Sequence, residues 1–528
     1  MHPGRRCLQL ARAALLLAAL GVTALAGASP AAASNAPVVP TTNGLVRGTV
    51  TDTTRVFQAI PYAAAPVGSL RWAAPEPAAS WHGIREATRP APACAQAASV
   101  LSGAVSAGGS TVEDCLFLNV TTPVRARALL PVMVWIHGGG FTSGAAGDYG
   151  PTRLAVSGPA VVVTVNYRLG PFGFLALPSL SAEARDRASG NFGLQDQQAA
   201  LRWVKRNALF FGGNPSNVTI FGESAGGLSV CAHLASPTAA HLFQRMITES
   251  GPCSAPLPSL ATAEGTGTAF AGRVGCADPA TQVACLRGLP VSAVLAGGGV
   301  GGPNVGGAIL PQQLPAAIAS GAFNRVPVME GTNHDEDRLF VALQFDLQGR
   351  PVTAAQYPAI IAAQFGANAP RVLAQYPLAN FSSPSLALAT VVTDARFACG
   401  ARLADQLLSA HVATFAYEFN DPNALEFIVQ DPVMPLGAFH AAELAYLFRS
   451  TAAEAAFTPA QLALSDQMIR YWTRFAAAGD PNAAGSPSWT GFTSANDRFQ
   501  SLAPDATTSI TTFAADHKCA FWASLTAA

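Results

Sequence analysis

The sequence predicts an α/β fold: a mostly parallel central sheet flanked by helices. Three observations carry that reading. "AVVVTVNY" (Ala160–Tyr167) is a near-continuous β-branched run, the pattern of a strand buried on both faces. "LQDQQAALRWVKRNALFF" (Leu194–Phe211) sets Ala200, Leu201, Val204 and Ala208 at helical spacing. "FGGNPSN" (Phe211–Asn217) then breaks the helix, and "VTIF" (Val218–Phe221) opens the next strand. Strands that alternate with helices need crossover connections, and crossovers produce parallel pairing.

Taken from the N-terminus, the first element is a processing signal. Arg5, Arg6 and Arg12 precede an apolar run, Ala13–Leu25, and Ala31-Ala32-Ala33 before Ser34 fits an A-x-A cleavage site. Residues 1–33 read as a secretory signal peptide. The run falls short of the roughly 20 apolar residues of a membrane span, so no stable anchor is expected. Residues 34–528 are expected to form a single domain, because the informative motifs are spread over most of that length. "LPVMVWIH" (Leu130–His137) reads as a strand ending in Gly138-Gly139-Gly140, and "VPVMEG" (Val326–Gly331) as a later one. Pro252–Gly321 is rich in Ala, Gly and Pro and carries little pattern.

Composition bounds the function. Half of the 528 residues are hydrophobic and 12% are charged, enough for a large core. Lys+Arg and Asp+Glu balance at 31 each, so no global field favours nucleic acid. Of nine cysteines, Cys7 lies in the signal, and the other eight would enter an oxidising compartment where disulfides persist.

The chemistry starts at "VTIFGESAGG". Gly222-Glu223-Ser224-Ala225-Gly226 matches G-x-S-x-G between a strand and a helix. So sharp a turn lifts the serine hydroxyl above the sheet edge and requires small neighbours. A serine needs a base to take its proton, and in such hydrolases acid and histidine follow in that order. His411, His440 and His517 lie far enough downstream. His411 opens a strand-like run and His517 sits in the tail. His440 follows the loop "MPLGAF" and precedes the helix-like "AAELAYLF", so His440 is favoured. For the acid, Asp335, Glu336 and Asp337 all stand just after a strand, and any of them could serve. His334 beside them is read as a solvated loop residue. No second histidine stands at useful metal-ligand spacing, and no metal is expected. The Gly loop that starts at Gly138 lacks a following Gly-Lys-Ser/Thr. It suits an oxyanion hole completed by the amide of Ala225.

Together these segments resemble the type-B carboxylesterase family, which also includes cholinesterases and the non-catalytic neuroligins. The resemblance runs from "GLVRG" and "FQAIPYAAAPVGSLRW" through "EDCLFLNV", "VWIHGGGF", "VNYRLGPFGFL", "FGGNPSNVTIFGESAGG" and "ITESGP" to "YWTRFAAAGDPN". It implies an α/β-hydrolase fold and hydrolysis of small-molecule carboxylic esters by water, with no cofactor. It implies Ser224 as nucleophile, Glu336 as acid and His440 as base. Gly139, Gly140 and Ala225 would form the oxyanion hole, and Glu223 would be a buried carboxylate near the histidine. It also implies disulfides Cys94–Cys115, Cys276–Cys285 and Cys399–Cys519, with Cys231 and Cys253 left as buried free thiols. Arg71–Glu113 and Arg168–Asp196 would be structural ion pairs. Two departures stand out: Asp337 follows the acid and Ala441 the histidine, where the family usually has glycine. A lipase, thioesterase or amidase would use the same residues on a different leaving group. A neuroligin-like binding protein would lack a triad member, and none is missing here.

Overall fold

In the computed structural model, parallel strands line up their carboxyl ends on one edge, and that edge is where the singled-out residues gather. The structure describes residues 36–526, apart from 101, 102, 104, 127, 430–433 and 449–454. The expected signal peptide, 1–33, lies outside the described residues. From Ala36 onward the chain makes one contact unit.

The strands are β1 (Val38–Thr41), β2 (Gly44–Arg47), β3 (Thr49–Val50), β4 (Thr54–Pro61), β5 (Ile84–Glu86), β6 (Phe117–Pro123) and β7 (Leu130–Ile136). β8 (Val161–Val165), β9 (Gly213–Glu223), β10 (Arg245–Glu249) and β11 (Val328–Asn333) follow, then β12 (Thr414–Phe419), β13 (Phe499–Leu502) and β14 (Thr508–Ile510). β1, β2 and β5 make a small sheet. The other eleven form one sheet in the order β14-β13-β12-β11-β10-β9-β7-β8-β6-β4-β3. From β8 to β13 every neighbouring pair is parallel. Antiparallel pairs close both ends. This is the α/β-hydrolase arrangement that the sequence predicts.

The two-residue strand period divides the core between the faces of the sheet. Along β7, Val132, Val134 and Ile136 join one buried cluster, while Met133 and Trp135 join the other. β8 and β9 split likewise: Val161, Val163, Val218 and Ile220 lie on one face, Val162 and Phe221 on the other. Strands buried on both faces need apolar residues at every position, which is why these segments read as unbroken runs.

One predicted boundary moves. "FGGNPSN" is not a loop before a short strand. The helix Phe192–Asn207 ends in a 3-10 turn, Ala208–Phe211, stopped by Gly212 at φ 86°. β9 then begins at Gly213, which pairs with Leu130 of β7. The weakly patterned middle holds four helices, Leu260–Arg273, Gln282–Gly288, Val291–Ala296 and Leu314–Ala319.

Four disulfides join described residues: Cys94–Cys115, Cys231–Cys253, Cys276–Cys285 and Cys399–Cys519. The second corrects the reading of Cys231 and Cys253 as free thiols. The helix Ala225–Ala235 packs against β10, and the turn after β10 brings Cys253 back to it, with the two Cα atoms 5.2 Å apart. Arg71 meets Glu113 through two contacts of 2.7 and 2.5 Å, and Arg168 meets Asp196 through two of 2.7 Å. Among the described residues no helix is long and apolar enough to cross a membrane.

Candidate active site

Ser224 stands where β9 turns into the helix Ala225–Ala235. Its φ of 56° and ψ of −120° are rare for a residue with a side chain. Both neighbours hold that strained backbone. Its N–H donates to the Glu249 carbonyl at 2.8 Å, and its own carbonyl accepts from the Leu228 N–H at 2.9 Å. The glycine that follows is required by space: a Cβ at Gly226 would sit 1.9 Å from the Ile136 carbonyl oxygen.

The Gly loop leaves β7 beside this turn. Gly139 has φ 98°, and a Cβ there would lie 2.2 Å from the Ser143 carbonyl oxygen. Its carbonyl accepts from the N–H groups of Thr142 and Ser143, each at 3.0 Å, which folds the loop back on itself. His137 anchors the base of the loop. It is buried, stacks on Tyr167 and hydrogen-bonds the Gly138 carbonyl through Nδ1 at 2.9 Å. Burial depresses its pKa to about 4, so it stays neutral. Gly139 and Gly140 line the same cavity as Ser224 and His440.

Glu336 and His440 come from the loops after β11 and β12. Their backbones are tied directly: the His440 N–H donates to the Glu336 carbonyl at 3.2 Å, and the Asp335 N–H to the Ala438 carbonyl at 2.9 Å. The side chain of Glu336 meets His440 Nδ1 at 2.6 Å through Oε2. Its Oε1 accepts from the Thr332 hydroxyl at 2.7 Å and the Asn333 N–H at 2.8 Å. The three acidic neighbours therefore separate. Asp335 turns to Arg338, His334 and the Ala438 N–H. Asp337 makes no contact with the imidazole nitrogens, and burial pushes its pKa up to about 7.

Nε2 of His440 lies 3.0 Å from Glu223 Oε1, without the alignment of a hydrogen bond. That nitrogen is left for another partner on the cavity side. Phe340 and Phe397 flank the ring, with centroids 4.8 and 5.3 Å away. Burial lowers the affinity of His440 for a proton, but Glu223 and Glu336 more than offset it and carry its pKa up to about 9. Glu223 moves up to about 7, mainly through burial.

Sequence reasoning missed a layer of buried carboxyls behind these residues. Glu249 accepts from Trp472 Nε1 at 2.8 Å, and burial takes its pKa up to about 8. Glu443 accepts from Asn333 Nδ2 at 2.5 Å, and the same amide donates to the Phe439 carbonyl. Asn333 and Glu443 thus link the acid and histidine loops. Of these, Glu443 alone gave a sequence signal, a charged residue inside the otherwise apolar "AAELAYLF".

The cavity above Ser224 measures about 490 Å³. Tyr149, Leu339, Phe340, Phe427, Ile428, Leu444 and Phe448 line it, and none of its described lining residues is Lys or Arg. Asp148 and Glu223 add two carboxylates to the lining.

Known proteins resemble this chain over most of its length. A profile described as "Carboxylesterase family" matches residues 35–522. The chain is 35% identical to a "Fumonisin B1 esterase" of Sphingopyxis macrogoltabida, over 86% of this chain and 84% of that one. It is 34% identical to the "Para-nitrobenzyl esterase" of Bacillus subtilis (strain 168), over 84% and 90%. Among solved structures it superposes on a "thermophylic PNB esterase" with a TM-score of 0.80 and 32% identity, covering 92% of this chain and 99% of the other.

Proposed function

Since the chain belongs to the carboxylesterase family and is a carboxylic ester hydrolase, we propose that Ser224 carries its chemistry through an acyl-serine intermediate. His440 takes the hydroxyl proton as the serine oxygen attacks the ester carbonyl. The amides of Gly139, Gly140 and Ala225 receive the oxyanion, each such donor being worth roughly 10²–10³ in turnover. His440 then returns the proton to the leaving alcohol, and a water molecule repeats the sequence to release the acid. Glu336 orients the imidazole through Nδ1 and stabilises its charged form. The observation that carries the reading is the pairing of a strained Ser224 with a His440 whose Nδ1 is fixed by Glu336 and whose Nε2 has no aligned partner.

Ser224→Ala tests it. The variant is expected to fold and to lose nitrophenyl ester hydrolysis by roughly 10⁶-fold. Retained turnover would reject Ser224 as the nucleophile.

The apolar walls favour neutral esters with a bulky apolar group. Export is part of the proposal: residues 1–33 direct the chain out of the cytosol, and its disulfides suit an oxidising compartment. Protein recovered from the medium should begin at or near Ser34. Recovery only of cell-retained chains beginning at Met1 would overturn export.

A further inference from the structure

A second histidine cluster forms where the loop after β11, strand β12 and the C-terminal segment meet. His334, Glu418 and His517 each offer one ligand atom, and the three atoms lie within 4.8 Å of one another. We propose that these residues form a site for a divalent transition-metal ion, Zn²⁺ in the first instance, that clasps the C-terminal segment to the loop carrying Glu336.

Each ligand type and its support match what such an ion requires. Two imidazoles and one carboxylate are a common zinc donor set, and a water molecule can complete a tetrahedron. Metal-bound histidines normally donate their other ring N–H to a carboxylate. Both histidines here have that partner: His517 Nδ1 meets Asp394 Oδ1 at 2.7 Å, and His334 Nδ1 meets Asp335 Oδ1 at 3.0 Å. These outer carboxylates are themselves held. Asp394 accepts from the Tyr376 hydroxyl at 2.8 Å, and Asp335 pairs with Arg338 at 2.6 Å. Nε2 of His517 already faces Glu418 Oε1 at 2.8 Å. In the loaded site the metal replaces the proton between them.

Closing the site needs a small movement. Tetrahedral zinc at its usual bond lengths holds ligand atoms about 3.4 Å apart. His517 and Glu418 are buried and fixed, whereas the His334 side chain is 40% exposed and can swing inward. A cavity of about 80 Å³ lined by His334 and His517 provides the entry path. The three ligands come from the loop after β11, from β12 and from the end of the helix Phe513–Asp516, so one ion would cross-link three segments.

The test uses the mature chain stripped with EDTA and dialysed, then titrated with ZnCl₂ in a calorimeter, with MgCl₂ as a control. One saturable zinc site per chain is expected, with a higher unfolding midpoint on loading. Loss of the carboxylate that supports a metal-bound histidine typically costs 10–100-fold in affinity, so loss of a ligand in His334→Gln should cost about 10²-fold or more. The half-exposed position lets that variant fold, and circular dichroism checks it. Co²⁺ loading should give visible absorption bands in the wild type that His334→Gln lacks. Absence of saturable zinc binding, or equal binding by wild type and His334→Gln, would overturn the site.

Discussion

His440 and His517 are held in nearly the same way. Each is buried, and each has a carboxylate at Nδ1 and another at Nε2: Glu336 and Glu223 for His440, Asp394 and Glu418 for His517. In each, neighbouring carboxylates outweigh burial and lift the pKa to about 9. The difference is at Nε2. In His517 that nitrogen is engaged by an aligned Glu418 oxygen at 2.8 Å. In His440 the Glu223 oxygen lies 3.0 Å away and out of line, and the strained Ser224 lines the same cavity. A histidine between carboxylates is thus no signature of a base. On the proposed mechanism, the Nε2 left without an aligned partner on the cavity side is what separates His440 from His517.

The strongest way to break this comparison is to remove each imidazole in turn. His440→Gln should lower kcat by roughly 10⁶-fold, as loss of a triad base does elsewhere. His517→Gln should act first on the unfolding midpoint, because it leaves Asp394 and Glu418 buried with one partner fewer. Parallel kinetics and thermal melts of the two variants read both quantities. Equal losses of kcat would erase the distinction.

The two histidines also show what could be read before the structure. The strand runs, the nucleophile turn and the Gly loop are local patterns, and local patterns survive in a sequence. His440 was favoured because its loop character is local too. Its acid was not legible from position, since Asp335, Glu336 and Asp337 share one strand end; the family resemblance singled out Glu336. The structure separates them by direction: Glu336 turns to the ring, Asp335 to Arg338 and Ala438. In the sequence His517 is a tail residue, and His334 has no second histidine at metal-ligand spacing. The partner is there, but it arrives through the C-terminal segment, whose path no spacing rule encodes. Cys231 and Cys253 failed for the same reason: two buried thiols read as small hydrophobes until the turn after β10 brings them together.

A finer test concerns Glu223. It is one of two buried glutamates whose charge raises the pKa of His440, and in the proposed mechanism the base works only when that imidazole is neutral. Removing the charge with Glu223→Gln should therefore lower the His440 pKa. The acid limb of the kcat/KM profile should move toward lower pH, leaving the variant relatively more active on the acid side. A shift of one pH unit corresponds to about tenfold in rate on that limb. A limb that stays in place, or moves up, would show that Glu223 does not couple to the base.

The smallest expected effect is thermal, and it extends the comparison from two histidines to buried carboxyls on β10 and β11. Glu249 and Glu330 are buried with pKa values pushed up to about 8 by desolvation, against 4.5 for an ordinary glutamate. Between those limits the folded chain holds protons that the unfolded chain has released. Stability from these groups must then fall as pH rises from about 4.5 to about 8. Asp335, whose pKa is depressed, acts in the opposite sense but only at more acid pH, below the ordinary aspartate value of 3.8. Melting curves from pH 5 to pH 8 should show the midpoint dropping by roughly a few degrees. Glu330→Gln, which keeps an acceptor for the Cys253 N–H, should flatten the slope. An unchanged slope in that variant would mean that Glu330 stays ionised in the fold, its charge compensated at no cost to stability.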